Sequence, residues 1–275
     1  IGNYASSENG EAQGGAITND GTIGDITGDF IGNYAYSESG EALGGAIYNS
    51  GTLTIAGAST FTDNYVEKNG KKTSNAIHNN GSYGGAIINF NSGNIVINDG
   101  ITGENNEDED DIYKPIFNFA GQQTATSDND VITLNNSLTN TSTDETLGNI
   151  EVNLTKGTLK LGHYKSEKFG DSHGTFGERV DFNVSGGNLT TQDGETDDHN
   201  LGNLKLSADL NTSIDVDLSK VEGDVLTGST EATAADGKKI LIDNIKVLAQ
   251  VILSKFRWQT QISKTLWIWQ MMPRL

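Results

Sequence analysis

A copied segment constrains this chain more than any other feature of its sequence. Residues 1–17 read IGNYASSENGEAQGGAI and residues 31–47 read IGNYAYSESGEALGGAI, so fourteen of seventeen positions are identical at an offset of 30. A third, decayed copy follows, in which residues 74–77 (SNAI) come 30 positions after residues 44–47 (GGAI). A fixed period of about 20–50 residues is typical of a solenoid, where each unit buries its apolar face against its neighbours.

Short strands are predicted within each repeat. Hydrophobic pieces such as residues 52–55 and 59–61 are bounded by Gly, Asn or Asp, and the chain has 34 Gly, 29 Asn and only two Pro. This pattern of strand and turn, three times in 30 residues, describes one coil of a parallel β-helix. We therefore predict an all-β fold: a right-handed parallel β-helix (solenoid), elongated and incomplete at both ends, since Ile1 begins within a repeat.

The recurring residues are interpreted as scaffold rather than as ligands of a site. A Gly-Gly pair allows a backbone turn at positive φ. Phe30 and Phe61 are predicted to stack in the interior, and the amides of Asn33 and Asn64 to bond the backbone of the next coil. The predicted structural repeat residues are Gly14, Gly15, Ala16, Ile17, Phe30, Asn33, Gly44, Gly45, Ala46, Ile47, Phe61, Asn64, Gly84, Gly85, Ala86 and Ile87.

Composition divides the chain into three parts. Residues 1–100 carry the repeats, and residues 101–248 lose them but keep apolar residues that alternate with polar ones, which predicts degenerate coils. Residues 249–275 contain four basic and no acidic residues, together with all three Trp. Two interpretations of this tail stay open: out-of-frame or foreign sequence, or a closing helix with helical spacing at Leu241, Ile245, Leu248, Ile252 and Phe256.

Charge and cysteine content exclude several functions. The net charge is −19, from 18 basic and 37 acidic residues, whereas nucleic-acid binding needs a basic face. The same charge argues against adsorption to anionic lipid headgroups. The chain has no cysteine, which excludes thiolate metal sites, catalytic cysteines and disulfides.

One motif has the form of a nucleophile elbow. Residues 170–174 read GDSHG and match G-x-S-x-G, in which a strand turns sharply into a helix and exposes the serine. Alternating apolar residues from Val180 onward predict a strand instead of the helix, and Ser172 and His173 point opposite ways in an extended segment. We interpret the motif as a turn. The histidines at 78, 163, 173 and 199 show no metal-ligand spacing.

Acidic residues offer two further candidates. Six of the eight residues from Glu104 to Asp111 are acidic and are predicted to form an exposed loop. Calcium is a possible ligand there, although no calcium-loop motif is present, and no cofactor is predicted otherwise. Carboxylates of an enzyme could come from Asp193, Glu195, Asp197 and Asp198, but their spacing does not show that they converge.

Three GGAI tetrapeptides alternate with two FxxN motifs. The tetrapeptides start at residues 14, 44 and 84, and the FxxN motifs are Phe30-x-x-Asn33 and Phe61-x-x-Asn64. This pattern resembles the FxxN and GGA(I/L/V) repeats of chlamydial polymorphic outer-membrane proteins and related autotransporter adhesins. It covers roughly residues 1–98, and residues 201–247 look like the passenger segment that precedes the membrane barrel of an autotransporter.

The resemblance implies a secreted or surface-exposed passenger of a Gram-negative bacterium that is carried through the outer membrane by a C-terminal barrel, which is missing here. On that basis we expect a monomeric, non-enzymatic adhesin whose partner is an unknown receptor on host cells or bacteria. The alternative is a carbohydrate-active β-helix enzyme, a polysaccharide lyase or hydrolase. Because the differences between the two best copies all lie between the scaffold elements, adhesive contact is predicted in loops 6–13, 37–43 and 67–73.

Overall fold

The computed structural model describes residues 1–81, 85–108, 111–119, 131–228, 233–249, 256–262 and 267–273. Strands dominate these residues, and the helical segment among them is a single 3-10 turn, Glu145–Leu147. No helix within the described ranges has the length and apolar character needed to cross a membrane.

The first three coils contain β1 to β15. Their strands are β1 (Tyr4–Ser7), β2 (Ala12–Gln13), β3 (Ile17–Asn19), β4 (Thr22–Ile26), β5 (Asp29–Ile31), β6 (Tyr34–Ser37), β7 (Ala42–Leu43), β8 (Ile47–Asn49), β9 (Thr52–Ala56), β10 (Ser59–Thr62), β11 (Tyr65–Lys68), β12 (Lys71–Ser74), β13 (Ile77–Asn80), β14 (Ile87–Ser92) and β15 (Ile95–Ile97).

The coils from residue 101 onward contain the remaining strands. They are β16 (Ile101–Glu104), β17 (Asn106–Asp108), β18 (Asp111–Tyr113), β19 (Ile116–Phe119), β20 (Val131–Leu134), β21 (Ser137–Asn140), β22 (Ile150–Leu154), β23 (Thr158–Leu161), β24 (His163–Ser166), β25 (Gly170–His173), β26 (Thr175–Val184), β27 (Asn188–Thr190), β28 (Asp198–Leu206), β29 (Leu210–Asp217), β30 (Glu222–Gly223), β31 (Val225–Thr227), β32 (Thr233–Ala234), β33 (Ile240–Ala249), β34 (Phe256–Ile262) and β35 (Trp267–Pro273).

Successive coils stack their strands in parallel to build three faces. Face A contains β3, β8, β13, β16, β21, the first half of β26 and of β28, and β31; face B contains β4, β9, β14, β19, β22, the second halves of β26 and β28, and β32. Face C contains β5, β10, β15, β20, β23, β27, β29 and β33. The prediction of an all-β parallel β-helix is therefore confirmed. The hand of the coil and its completeness stay predictions.

The interior is a set of apolar columns in which each residue lies above its equivalent in the next coil. On face A the pairing runs from Ile47 to Ile77 and on to Ile101, all fully buried. The rings of Phe30 and Phe61 are parallel to within 2° with centroids 4.7 Å apart, as predicted from their recurrence. Burial of such side chains is the main source of stability in a solenoid.

Asparagine side chains form a second kind of column at the corners. The backbone N–H and Nδ2 of Asn33 both donate to Oδ1 of Asn64, at 3.0 and 2.9 Å. The predicted bond between an amide and the backbone of another coil is therefore present, but the Asn64 amide bonds the preceding coil and not the next one. A single side-chain bond, from Nδ2 to Oδ1, joins Asn19 to Asn49 at 2.7 Å. These bonds satisfy buried polar groups at turns, where the strand ladders cannot reach.

The Gly-Gly pairs are explained by two different restrictions. Gly44 has φ +62°, a conformation that favours glycine. Gly45 has no such φ, but a Cβ at this position would lie 2.4 Å from the carbonyl oxygen of Tyr65 in the next coil. The first glycine is therefore needed for the turn and the second for the close approach of a neighbouring backbone.

The last GGAI tetrapeptide does not continue the column of the others. Gly84 lies outside the described residues, Gly85 has φ +84°, and Ile87 begins β14 on face B, where it pairs with Thr52. The equivalents of Ile47 are Ile17 and Ile77 on face A. The 30-residue period ends here because coil 3 contains extra residues.

Two expectations for irregular or helical segments are wrong. Residues 106–108 and 111 of the acidic segment are exposed, but they belong to an antiparallel hairpin of β17 and β18 rather than a loop, and Asn105 is buried. Glu109 and Asp110 lie outside the described residues. The closing helix is absent from the described part of the tail, since Ile240–Ala249 is a strand that pairs with β29. The free edge of face C supplies backbone partners there, and the β-branched residues Ile240, Ile242 and Ile245 favour a strand.

Candidate functional site

Insertions between face C and face A lie along one edge of the coil. We call this the insertion edge and define it as residues 4–13, 34–43, 65–74 and 163–173. The first three insertions stack through β1, β6 and β11, which pair in parallel, and the last is the antiparallel hairpin of β24 and β25. Coils 4 and 5 have only short connections at this edge, residues 98–100 and 135–136.

The predicted contact loops 6–13, 37–43 and 67–73 all belong to this edge. They are supported by a small second core of Ala12, Ala35 and Ala42. Outside this core the rings of Tyr4, Tyr34 and Tyr65 form a stack with centroid distances of 5.2 and 5.1 Å. The tips of the first two insertions, residues 8–11 and 38–41, are largely exposed, so the edge combines a fixed base with accessible tips.

The hairpin 163–173 reaches back across coils 4 and 5 to the insertion of coil 3. Ser166 Oγ lies 3.3 Å from Oδ1 of Asp63, and the ring of Phe169 is 6.1 Å from that of Tyr65. Lys168 Nζ lies 5.8 Å above the same tyrosine ring, within cation–π range. This contact joins insertions about a hundred residues apart in the chain into one surface.

A groove of about 660 Å³ lies beside the insertion of coil 3. One wall comes from residues 41–43 and the hairpin 65–74, and the floor is the outer side of face A in coils 3 to 5. In the floor, Asn75 Nδ2 donates to Thr102 Oγ1 at 3.0 Å, and Thr102 Oγ1 is 2.9 Å from His78 Nδ1. His78 is 1% exposed and its ring stacks on Tyr48 at 5.5 Å.

The GDSHG motif is not a nucleophile elbow, and the interpretation as a turn is also wrong. Residues Gly170–His173 form β25 of the hairpin. The hydroxyl of Ser172 lies within hydrogen-bond distance of the backbone carbonyls of Asn135 and Tyr164, at 2.9 and 3.1 Å, and donates its one hydrogen to this pair. Because that hydroxyl is bonded to backbone and His173 faces Asp197 instead, no Ser–His pair exists at this motif.

Histidines and carboxylates that are distant in sequence meet at the base of this hairpin. His173 Nδ1 lies 2.9 Å from Asp197 Oδ2, and the ring of His163 stacks on that of His173 at 4.8 Å. His163 Nδ1 lies 3.5 Å from Glu195 Oε1. Of the four predicted carboxylates, Glu195 and Asp197 therefore join the histidines, while Asp198 is exposed on β28.

A deeper acidic cluster joins coils 6 to 8 below this pair. Asp224 accepts the backbone N–H of Asp215 at 2.6 Å and that of Asp197 at 3.2 Å, and burial raises the pKa of Asp224 to about 6. Asp193 belongs to the same cluster, and burial raises the pKa of its carboxyl too. His199 donates from Nδ1 to the carbonyl of Gly174 at 2.8 Å. The carboxylates mainly accept hydrogen bonds from backbone N–H groups, which is typical of acidic residues with a structural role.

Asp215 and Asp224 were not predicted from the sequence. Asp215 is fully buried although it lies in a strand where Ile214 and Val216 are apolar, and nothing in that pattern distinguishes it from an outward aspartate. Within the part of the chain that the structure describes, no three histidine or acidic side chains are arranged to hold one metal ion. Two of the four histidines, His163 and His173, are thus in contact, but they are not part of an arrangement that would bind a metal ion.

Comparison with protein-family models, with curated proteins and with solved structures gives no match to this chain. Function must therefore be argued from the fold and from the insertion edge.

Proposed function

We propose that this chain is a non-enzymatic passenger segment of an autotransporter, exposed at the cell surface or secreted, that binds a receptor through its insertion edge. The β-helix acts as the scaffold and the insertions as the recognition surface. The family and the location rest on the resemblance of the GGAI and FxxN repeats, and the mode of binding rests on the geometry of the edge.

The observation that carries the proposal is the common placement of the insertions. A solenoid that needed loops only to connect its strands would have short connections at every corner, as coils 4 and 5 have at this one. Instead, insertions from coils 1, 2, 3 and 6 lie on the same edge, and the last contacts Tyr65 in the third. Side-by-side loops on a rigid support are a common arrangement for binding a macromolecule.

The test replaces only the exposed tips, residues 8–11, 38–41 and 69–72, with Gly-Ser sequence and leaves the alanine core intact. Binding of the fluorescently labelled full chain to cultured epithelial cells is measured by flow cytometry. We expect native binding to fall to background in the tip variant, while its circular dichroism spectrum and melting temperature are retained. A matched variant with Gly-Ser at the exposed turn 236–238 should bind like the native chain. Undiminished binding by the tip variant would contradict the proposal.

A second candidate function is that of a polysaccharide hydrolase or lyase, and one observation favours it. His173 and Asp197 form a close pair that is only partly buried, and Glu195 lies nearby through His163. A carboxylate–histidine pair can transfer protons in catalysis. Incubation of the full chain with bacterial and host polysaccharides, followed by measurement of reducing ends, tests this candidate. If reducing ends are released by the native chain and by Asp198→Asn but not by Asp197→Asn, the chain is a polysaccharide-cleaving enzyme and the adhesin proposal is wrong.

A further inference from the structure

We propose that the groove beside the insertion of coil 3 binds a neutral, hydroxyl-rich ligand, a short oligosaccharide. The inference deepens the proposed function, on which it rests for the biological role of the edge. It identifies the chemical class of the partner, which the insertion edge alone does not.

The size and form of the groove suit a small ligand. Its volume of about 660 Å³ lies within the range of about 300–1,000 Å³ that is usual for small-molecule sites. The hairpin 65–74 rises on one side of the floor, and coils 4 and 5 have only the short connections 98–100 and 135–136 at the insertion edge. The groove is therefore a consequence of where the insertions begin and end along the rod.

The lining combines hydroxyl groups with short apolar side chains. On β21 the buried Leu138 points inward, whereas Ser137 and Thr139 on either side of it face the groove. The wall formed by residues 41–43 and the hairpin 65–74 contributes Leu43 and Val66. A sugar presents hydroxyls at its rim and C–H groups on its faces, so both kinds of lining have a counterpart on such a ligand.

Two buried side chains at the groove have polar atoms without a hydrogen-bond partner. Nε2 of His78 and Oδ1 of Asn75 are both unpartnered, and the residues are 1% and 5% exposed. Both atoms are covered by protein, so a ligand pairs with Nε2 of His78 only by taking the place of the side chain that covers it, and Oδ1 of Asn75 stays out of its reach. Glu104 Oε2 lies 3.5 Å from His78 Nε2, which makes this partly exposed carboxylate the group that a ligand hydroxyl would replace.

The fixed charges of the groove favour a neutral ligand over an anionic one. Lys68 is already paired with Glu41, and Glu104 faces His78. Lys71 is the remaining basic residue of the lining, at the exposed end of the hairpin. Binding sites for sulfate or carboxylate groups typically present an arginine or several converging cations, and this lining does not.

The experiment uses a glycan array printed with neutral, sialylated and sulfated oligosaccharides and probed with the labelled full chain. We expect retention on neutral oligosaccharides. For the best of them, titration calorimetry should show affinity about fivefold to tenfold weaker in Thr139→Val, which removes one hydroxyl from the floor, and near-native affinity in Thr139→Ser. Thr133→Val makes the same change on the outer side of face C and should have no effect.

Each other result overturns the inference. Retention of no printed oligosaccharide, retention only of sulfated or sialylated ones, or equal binding by Thr139→Val would each show that the groove is not a neutral sugar site. The cell-binding test keeps this failure separate from failure of the proposed function. If the tip variant loses cell binding while the native chain retains no glycan, the adhesin proposal stands and the sugar site falls.

Discussion

Asn64 donates both its backbone N–H and its Nδ2 to one carboxylate oxygen of Asp99, at 3.0 and 2.8 Å. Asp99 thus occupies the place that Asn33 and Asn64 hold in the preceding coils, and it ends their column of amides. The side chain of Ser74 donates to the other oxygen at 3.1 Å. Asp99 is 1% exposed, and burial raises its pKa to about 6.

Replacing this aspartate by asparagine should stabilise the protein at neutral pH. A carboxyl whose pKa is raised on folding binds its proton more tightly in the native state, so its contribution is fully present below the unfolded pKa of about 4 and is lost as pH rises through about 6. Asp99→Asn removes this loss and keeps an acceptor for Asn64. The expected gain is about 1–3 kcal/mol at pH 7.5 and close to zero near pH 4.

Urea unfolding at both pH values measures this difference. The matched control is Asp20→Asn, at an exposed position in a turn of the first coil, which should change stability little at either pH. A gain for Asp99→Asn that is equal at the two pH values would show that the buried charge is not its cause.

The repeat in the sequence was sufficient to predict the columns of the first three coils. Phe30 and Phe61 stack because identical positions in successive coils must lie above each other once the period is fixed. The same argument placed Asn33 and Asn64 at equivalent turns, although their side chains bond each other as well as the backbone. Alternation of apolar residues extended the prediction of strands beyond residue 100, because inward positions of a strand recur every second residue.

The groove and the acidic cluster could not be predicted in the same way. The groove depends on the lengths of the insertions that line it, and the cluster depends on contacts between coils, such as that of Asp224 with Asp197, which no local rule predicts. Asp224 is buried against Asp197 and Asp215, which come earlier in the chain, whereas the sequence around it and around Asp215 resembles an ordinary strand with solvated carboxylates. The tail was misread because helical spacing at Leu241 and Ile245 is also compatible with a strand.

Truncation of an interior phenylalanine should cost much more than truncation of an exposed aromatic residue. Phe61 is fully buried between two coils, so Phe61→Ala leaves a cavity and is expected to lower the free energy of unfolding by about 3–5 kcal/mol. Tyr4→Ala removes a ring that is 62% exposed and should cost less than about 1 kcal/mol. Chemical denaturation of the two variants checks the assignment of inside and outside, and similar costs would contradict it.

A methyl group at Gly45 should be far more harmful than one at Gly24. The added Cβ would lie 2.4 Å from the carbonyl oxygen of Tyr65 and 2.5 Å from that of Asn75, and both are backbone atoms that cannot move independently. Nothing lies within 4 Å of a Cβ at Gly24. We expect Gly45→Ala to cost several kcal/mol or prevent folding, and Gly24→Ala to be near neutral. Comparable melting temperatures for the two variants would show that the coils are not in such close contact.

Loosening the hairpin 163–173 should change local protection without unfolding the coil. Phe169 and Ser166 hold it against Tyr65 and Asp63, and these contacts lie outside the main core. In Phe169→Ala, amides of 163–173 should exchange with deuterium faster, whereas those of β22 and β23 should exchange as in the native chain, because local opening requires less free energy than global unfolding.

The control for this hairpin is Phe176→Ala, in β26 directly after it. Phe176 is 1% exposed and belongs to the main core, so its truncation should raise exchange across many coils rather than in the hairpin alone. If Phe169→Ala also raised exchange in β22 and β23, the hairpin would be part of the cooperative core and not an element laid on its surface. Unchanged exchange in 163–173 would mean that Phe169 does not hold the hairpin, and the continuous insertion edge would then have to rest on Ser166 and Ser172.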